Sequence, residues 1–161
     1  MEINSLFGII PDLPGVRVYQ FSDNIDFSKE LSKEARNRDF ELEIVVFSED
    51  FFYKLNSLEG ENIKLRKVEF NKPKYNLRST LYDTVFVNID ISTLQDIELF
   101  FRKIYRMMKN AANIIVPVSK ECKEEIAALL EKCNYVAIND IDLDEKNCAI
   151  VGRKMHGWAR V

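Results

Sequence analysis

Residues 135–154 read YVAINDIDLDEKNCAIVGRK: two β-type runs, Tyr135 to Ile141 and Cys148 to Lys154, joined by about six residues, Asp142 to Asn147. A parallel connection needs a dozen or more residues to cross over, so this pair must be an antiparallel hairpin. Upstream the connections are longer. Thr84 to Ile89 (TVFVNI) and Asn113 to Val118 (NIIVPV) are apolar runs of the kind buried on both faces of a sheet, and each is followed by a segment of helical period. Ser92 with Gln95 three residues later reads as a capping box. The helix it opens carries an apolar stripe of Leu94, Ile97, Phe101, Ile104 and Met108, turns Glu98, Arg102, Arg106 and Lys109 to solvent, and ends on Asn110 in a left-handed conformation. Ser119 is positioned to cap a further helix with a stripe of Cys122, Ile126, Leu129 and Cys133.

The first half alternates in the same way. Val16 to Phe21 (VRVYQF) reads as a strand, and Phe27, Leu31 and Ala35 mark a helix running to Arg38, with Asp26 as its N-cap. Leu42 to Phe47 (LEIVVF) is apolar apart from Glu43. Ser48 caps a short helix whose first turn holds Glu49 and Asp50 and which ends near Leu58 to Gly60. A third strand falls within Ile63 to Phe70, after which Pro73 and its polar neighbours interrupt any helix before Leu81. The expected fold is α/β: a three-layer sandwich around a mostly parallel seven-stranded sheet with an antiparallel C-terminal hairpin. The strands from Val16, Leu42, Thr84 and Asn113 lie parallel at its centre, Cys148 to Lys154 runs antiparallel beside the strand from Asn113, and the third strand and Tyr135 to Ile141 form the two edges.

Composition bounds the function classes. The chain has 161 residues, 47% hydrophobic and 30% charged, with five Gly and four Pro and no linker-like run, so one domain over residues 1–161 is expected. Met1 to Gly15 lacks the basic and apolar regions of a signal peptide, and no apolar run approaches the roughly 20 residues of a membrane span, which points to the cytoplasm and no membrane. Cys122, Cys133 and Cys148 form no C-x-x-C pair and read as reduced, mostly buried thiols, with no metal site. The one histidine, His156, has no partner for a metal site or a triad, and its neighbour Trp158 reads as an anchor for the C-terminus. A net charge of -3 argues against nucleic acid; the runs Lys64, Arg66, Lys67, Lys72, Lys74, Arg78 and Arg102, Lys103, Arg106, Lys109 read as solvated faces.

The order of elements resembles the class I S-adenosylmethionine-dependent methyltransferase (Rossmann-type) family. YDTVFVNID (Tyr82 to Asp90) resembles its fourth strand, FFRKIYRMMKNAANIIVPV (Phe100 to Val118) its helix, turn and fifth strand, and CAIVGRK (Cys148 to Lys154) its last strand. In that family a Gly-rich loop after the first strand lets the backbone approach the cofactor. Here the loop reads QFSDNIDF, Gln20 to Phe27, with Ser22, Asn24 and Asp26 where the resemblance places glycines and Gln20 where it places an acidic residue. Side chains there obstruct close approach, and Asp23 and Asp26 repel a carboxylate. NIDIS, Asn88 to Ser92, sits at the carboxyl edge, where ligands bind in open α/β sheets, but does not match the Asn-Pro-Pro-aromatic motif of amino-group methyltransferases.

Two functions follow from the resemblance. The first is a divergent, non-catalytic methyltransferase-like domain that acts as a binding or regulatory module for a small molecule or protein, including a second copy of itself. The second is an active methyltransferase of unknown substrate, with S-adenosylmethionine as cofactor. Its cofactor-binding residues would be Ser22, Asp23, Asn24, Glu49 and Asp50, with Glu49 or Asp50 on the ribose, and its candidate catalytic residue Asp90. Glu49 and Asp50 also suit a first helical turn for electrostatic reasons alone, and Asp90 suits backbone groups of its own loop. A crevice retained at this edge is expected to be lined by Asp23, Asn24, Glu49 and Asp90, and to prefer a cationic or hydroxyl-rich ligand over a phosphate.

Overall fold

A computed structural model describes residues 3–75 and 81–155 of the chain. Seven strands form one sheet: β1 (Arg17–Ser22), β2 (Glu41–Val46), β3 (Ile63–Lys67), β4 (Tyr82–Asn88), β5 (Met108–Ser119), β6 (Tyr135–Asp142) and β7 (Asn147–Lys154), in the order β3-β2-β1-β4-β5-β7-β6. The first five are parallel, and β7 runs antiparallel to both β5 and β6, as the short link after Ile141 requires. The helices are α1 (Asn4–Phe7), α2 (Ile25–Arg38), α3 (Glu49–Leu55), α4 (Ile97–Met107) and α5 (Lys123–Lys132). None of the described helices is long and apolar enough to cross a membrane.

Each face of the sheet buries its own apolar set. Val18, Leu42, Ile44, Phe86 and Ile115 face Leu6, Phe7, Phe27, Leu31 and Leu55 from the first three helices. On the other side Phe21, Val85, Val87 and Ile114 face Phe100, Phe101, Ile104, Ile126 and Leu130 from the last two. Burying such side chains supplies roughly 1.5–3 kcal/mol each, which outweighs any local helix preference. Glu98 joins the two outer helices, 2.9 Å from Lys132 and 3.3 Å from Arg102, and these cations hold its pKa below the usual range. Glu43, the one polar residue in the apolar run of β2, accepts from the Tyr82 hydroxyl at 2.8 Å and from Arg66 at 3.3 Å.

Several boundaries differ from those expected from sequence. α2 is capped by Asn24, whose Oδ1 accepts from Phe27 N, so Asp26 falls in the first turn. α4 begins at Ile97 under an Asp96 cap rather than a Ser92–Gln95 box, because the Asp90 carboxylate takes both the amide and the hydroxyl of Ser92 and folds Ile91–Thr93 into a 3-10 turn. Leu94 therefore precedes the helix, and Met108 is already in β5. Ser119 makes no cap bond; a 3-10 turn over Lys120–Cys122 intervenes, which leaves Cys122 exposed instead of buried, while Cys133 and Cys148 are buried. Residues 68–75 carry no helix, in line with the expected break at Pro73, and the rest of that connection, including Arg78, lies outside the described residues, as do His156 and Trp158.

The left-handed residue after α4 is Ala111, with φ 67°, not Asn110. It sits in a bulge of β5, where Tyr82 of β4 pairs with Met108 but Thr84 already pairs with Asn113. Lys109, in the same bulge, reaches Asp83 at 3.3 Å. A Cβ in this region costs on the order of 1 kcal/mol, and part of the gain on removing it returns as unfolded-state entropy. Ala111→Gly is therefore expected to raise stability by about 0.5 kcal/mol in urea denaturation, whereas Ala111→Val lowers it.

Candidate functional site

β1 and β4 pair in register from Val18 opposite Thr84 to Ser22 opposite Asn88, so the loops that leave them start side by side. In a doubly wound sheet this is where strand order reverses and where ligands bind. Four polar side chains, Gln20, Ser22, Ser28 and Asn88, lie buried beneath the two loops. Left unpaired, each would cost about 1–3 kcal/mol. They satisfy one another instead. Gln20 Nε2 donates to Asn88 Oδ1 at 2.8 Å, and Ser28 Oγ donates to Gln20 Oε1 at 2.8 Å. The Ser22 and Ser28 hydroxyls lie 2.6 Å apart, and Ser22 Oγ also donates to Asn24 O at 3.2 Å. The network thus ties the first loop, α2, β1 and β4 together.

The backbone of the loops is bound just as closely. Asp23 N donates to Asn88 O at 2.9 Å, and Asp90 N donates back to Asp23 Oδ2 at 3.0 Å, so one residue staples the two loops together. Asn24 N donates to Ser22 Oγ at 3.2 Å. Asp90 Oδ1 accepts from Ser92 N at 3.1 Å and Ser92 Oγ at 2.6 Å. Partial burial raises the Asp23 pKa above its ordinary 3.8, with the nearby Asp90 charge adding to the shift and the Asp90 amide opposing it.

A cleft of about 400 Å³ opens beside this staple, reaching across the end of β5 to the turn before β7. Asp23, Asn24, Asn88, Asp90, Ser92, Ser119, Cys122 and Asn147 supply its polar lining over a floor that includes Phe27 and Pro117, and no Lys, Arg or His is among its lining residues. Of the four residues expected to line such a crevice, Asp23, Asn24 and Asp90 do so and Glu49 does not. Glu49 and Asp50 project from the first turn of α3, both exposed, with Asp50 paired to Lys54 at 2.9 Å. β2 itself ends at Val46, and Phe47 follows it. Among the described residues no group of three or more His, Cys, Asp or Glu is placed to hold a metal ion.

Sequence reasoning missed three participants. Ser28 carries no motif, and its spacing from the cap merely places it on the inner face of α2. Cys122 was assigned to a buried stripe that begins one turn later. Gln20 did carry a signal, since an uncharged polar side chain inside VRVYQF needs a partner once buried.

No protein-family model matches the chain, and no curated protein matches it by sequence. Solved structures do match. A SAM-dependent methyltransferase from Aquifex aeolicus superposes with a TM-score of 0.78 at 13% identity, over 96% of this chain and 90% of its own. A putative S-adenosylmethionine-dependent methyltransferase from Listeria monocytogenes gives 0.77 at 10% identity, over 96% and 98%. One from Mesorhizobium loti gives 0.75 at 10% identity, over 94% and 97%. At such identities the likeness is one of fold, and the fold of this chain is the class I methyltransferase-like Rossmann fold.

Two measurements test the site's energetics. Gln20→Leu strands the Ser28 hydroxyl and the Asn88 carbonyl together and is expected to cost about 2 kcal/mol in urea denaturation. Asp23→Asn keeps an acceptor for Asp90 N without the charge. Because the folded-state pKa of Asp23 is raised, its contribution is fully present below pH 3.8 and is lost as pH rises through the folded value. Wild type should therefore lose stability relative to Asp23→Asn across that window and run parallel to it above; a difference independent of pH would contradict the assignment.

Proposed function

We propose, from a fold shared with S-adenosylmethionine-dependent methyltransferases, that the chain is a divergent methyltransferase-like domain that does not catalyse and acts as a binding or regulatory module. The observation that carries this reading is the loop after β1. Ser22, Asn24 and Asp26 stand where the resemblance puts glycines, and the hydroxyl of Ser22 and the carboxamide of Asn24 are committed to the loop's own hydrogen bonds. Asp23 adds a carboxylate already engaged by Asp90 N. Such a loop fits S-adenosylmethionine poorly: its side chains keep the backbone from close approach, and its charge opposes the cofactor's carboxylate.

What the module binds follows from the cleft. Carboxylates, carboxamides and hydroxyls without a cation suit a small cationic or hydroxyl-rich molecule, or a protein segment of that character, better than a phosphate. A second copy of the chain is a further candidate partner, and the cytoplasm is the proposed location.

The second reading is an active methyltransferase in which Ser22, Asp23 and Asn24 meet the cofactor, Glu49 or Asp50 holds the ribose, and Asp90 lies near the transferred methyl group. Its support is the superposition of nearly the whole chain on proteins described as methyltransferases. Isothermal titration with S-adenosylmethionine and S-adenosylhomocysteine separates the two. The non-catalytic reading expects a Kd weaker than about 1 mM, less than roughly 4 kcal/mol of binding. A low-micromolar Kd would overturn it and promote Glu49, Asp50 and Asp90 to site residues.

A further inference from the structure

The hydrogen bonds beneath the two loops leave one donor unused. Asn88 is 7% exposed and lines the cleft; Gln20 Nε2 occupies its Oδ1, while its Nδ2 donates to no group among the described residues. A carboxamide nitrogen buried to this degree is unfavourable without an acceptor, and the cleft is the side from which an acceptor can reach it. Asp23 and Asp90 line the same cleft, and their hydrogen-bond partners are amides and the Ser92 hydroxyl, none of them charged.

The β5 side of the cleft carries a sulfur. Cys122 is exposed, lines the cleft at the turn before α5, and accepts from Ser119 Oγ at 3.7 Å through its Sγ. Its neighbours Lys120 and Lys123 pair with Asp142 and Asp140 of β6 at 3.5 Å and 3.6 Å and are not among the residues of the cleft. Cys133 and Cys148 are buried, and burial pushes the pKa of both thiols up. Cys122 is therefore the thiol open to reagents in solution.

A cleft of about 400 Å³ that joins two carboxylates, an unused amide donor and an accessible thiol matches a small amino-alcohol disulfide: ammonium for the carboxylates, hydroxyl oxygen for Asn88, sulfur for Cys122. We propose that Cys122 is a thiol–disulfide exchange site that captures such molecules, and that the mixed disulfide closes the cleft to its reversible ligand. This rests on the reading of the cleft as a site for small cationic or hydroxyl-bearing molecules. In the exchange the Cys122 thiolate attacks one sulfur of the disulfide and forms a new S–S bond to that half. The original S–S bond breaks, and the other half leaves as a thiolate that takes up the proton Cys122 released. Cys122 is oxidised, the leaving half is reduced, and excess small thiol reverses the step.

Three reagents of one chain length test this: bis(aminopropyl) disulfide, its hydroxylated analogue bis(amino-hydroxypropyl) disulfide, and the uncharged bis(hydroxypropyl) disulfide. Adducts are followed by peptide mass spectrometry, and each rate is divided by that of a short cysteine peptide, which removes the reagents' own reactivity. In wild type the aminopropyl reagent should exceed the uncharged one about fivefold, and its hydroxylated analogue should gain about a further twofold, with Cys133 and Cys148 unmodified. Asp23→Asn/Asp90→Asn keeps both acceptors and should bring charged and uncharged reagents within about twofold of each other. Excess diaminobutane should slow the aminopropyl reagent on wild type and leave the uncharged one unaffected, a readout that needs no variant to fold. Equal relative rates for charged and uncharged reagents, or no adduct on Cys122, would overturn the capture site, and no gain from the added hydroxyl would remove Asn88 from it. Cys122→Ser keeps the cleft and removes the thiol: if capture fails but this variant binds diaminobutane in isothermal titration, the cleft reading stands, and if it binds none, both fail.

Discussion

A carboxamide buried between two strands leaves little freedom in its choice of partner. Gln20 has one donor side and one acceptor side, water is excluded, and the structure answers with Asn88 on one side and Ser28 on the other. That pairing locks the end of β1 to the end of β4 and draws the first turn of α2 down onto both. The cap at Asn24, the staple from Asp23 and the turn at Asp90 stand on the same two strand ends, whose register the β1–β4 ladder sets and the Gln20 bonds reinforce. Low local polarity makes such a network stiff: every member is costly to leave unmade, so the loops have one arrangement in which all are satisfied.

The same edge is organised differently on its two sides. Toward α2 it is polar, closed by hydrogen bonds, with an open acidic cleft beyond. Toward α4 it is aromatic, closed by ring contacts from the β3–β4 connection. Ring contacts are less directional than hydrogen bonds, and here they bury Phe21, Phe100 and Tyr75 almost completely, so this side is held by apolar burial rather than by polar pairing. The edge thus sets a hydrogen-bonded polar wall against a packed apolar one.

The sheet was legible because connection length and apolar runs constrain topology directly: six residues after Ile141 allow only a hairpin, and TVFVNI or LEIVVF can lie only in a covered strand. Caps were harder. Asn24 against Asp26, and Asp96 against Ser92, are contests between neighbouring residues for the cap position, decided by where packing starts the helix rather than by residue type. The site was legible in outline, since Asp23, Asn24 and Asp90 follow strands that must be adjacent. Its far side was not, because Ser119, Cys122 and Asn147 reach it from elements whose facing depends on the finished sheet.

The two outer strands have consequences beyond this chain. β3 is five residues long and carries exposed Lys64 and Lys67. β6 is broken by a bulge in which Ala137 has φ 52°, and its Asp140 and Asp142 are within 3.6 Å and 3.5 Å of Lys123 and Lys120. Neither border offers the straight, uncharged row of amides and carbonyls on which another strand could zip. Crowding many copies together should therefore produce little fibrillar growth, with self-assembly favoured through helix or loop surfaces instead of the borders of the sheet.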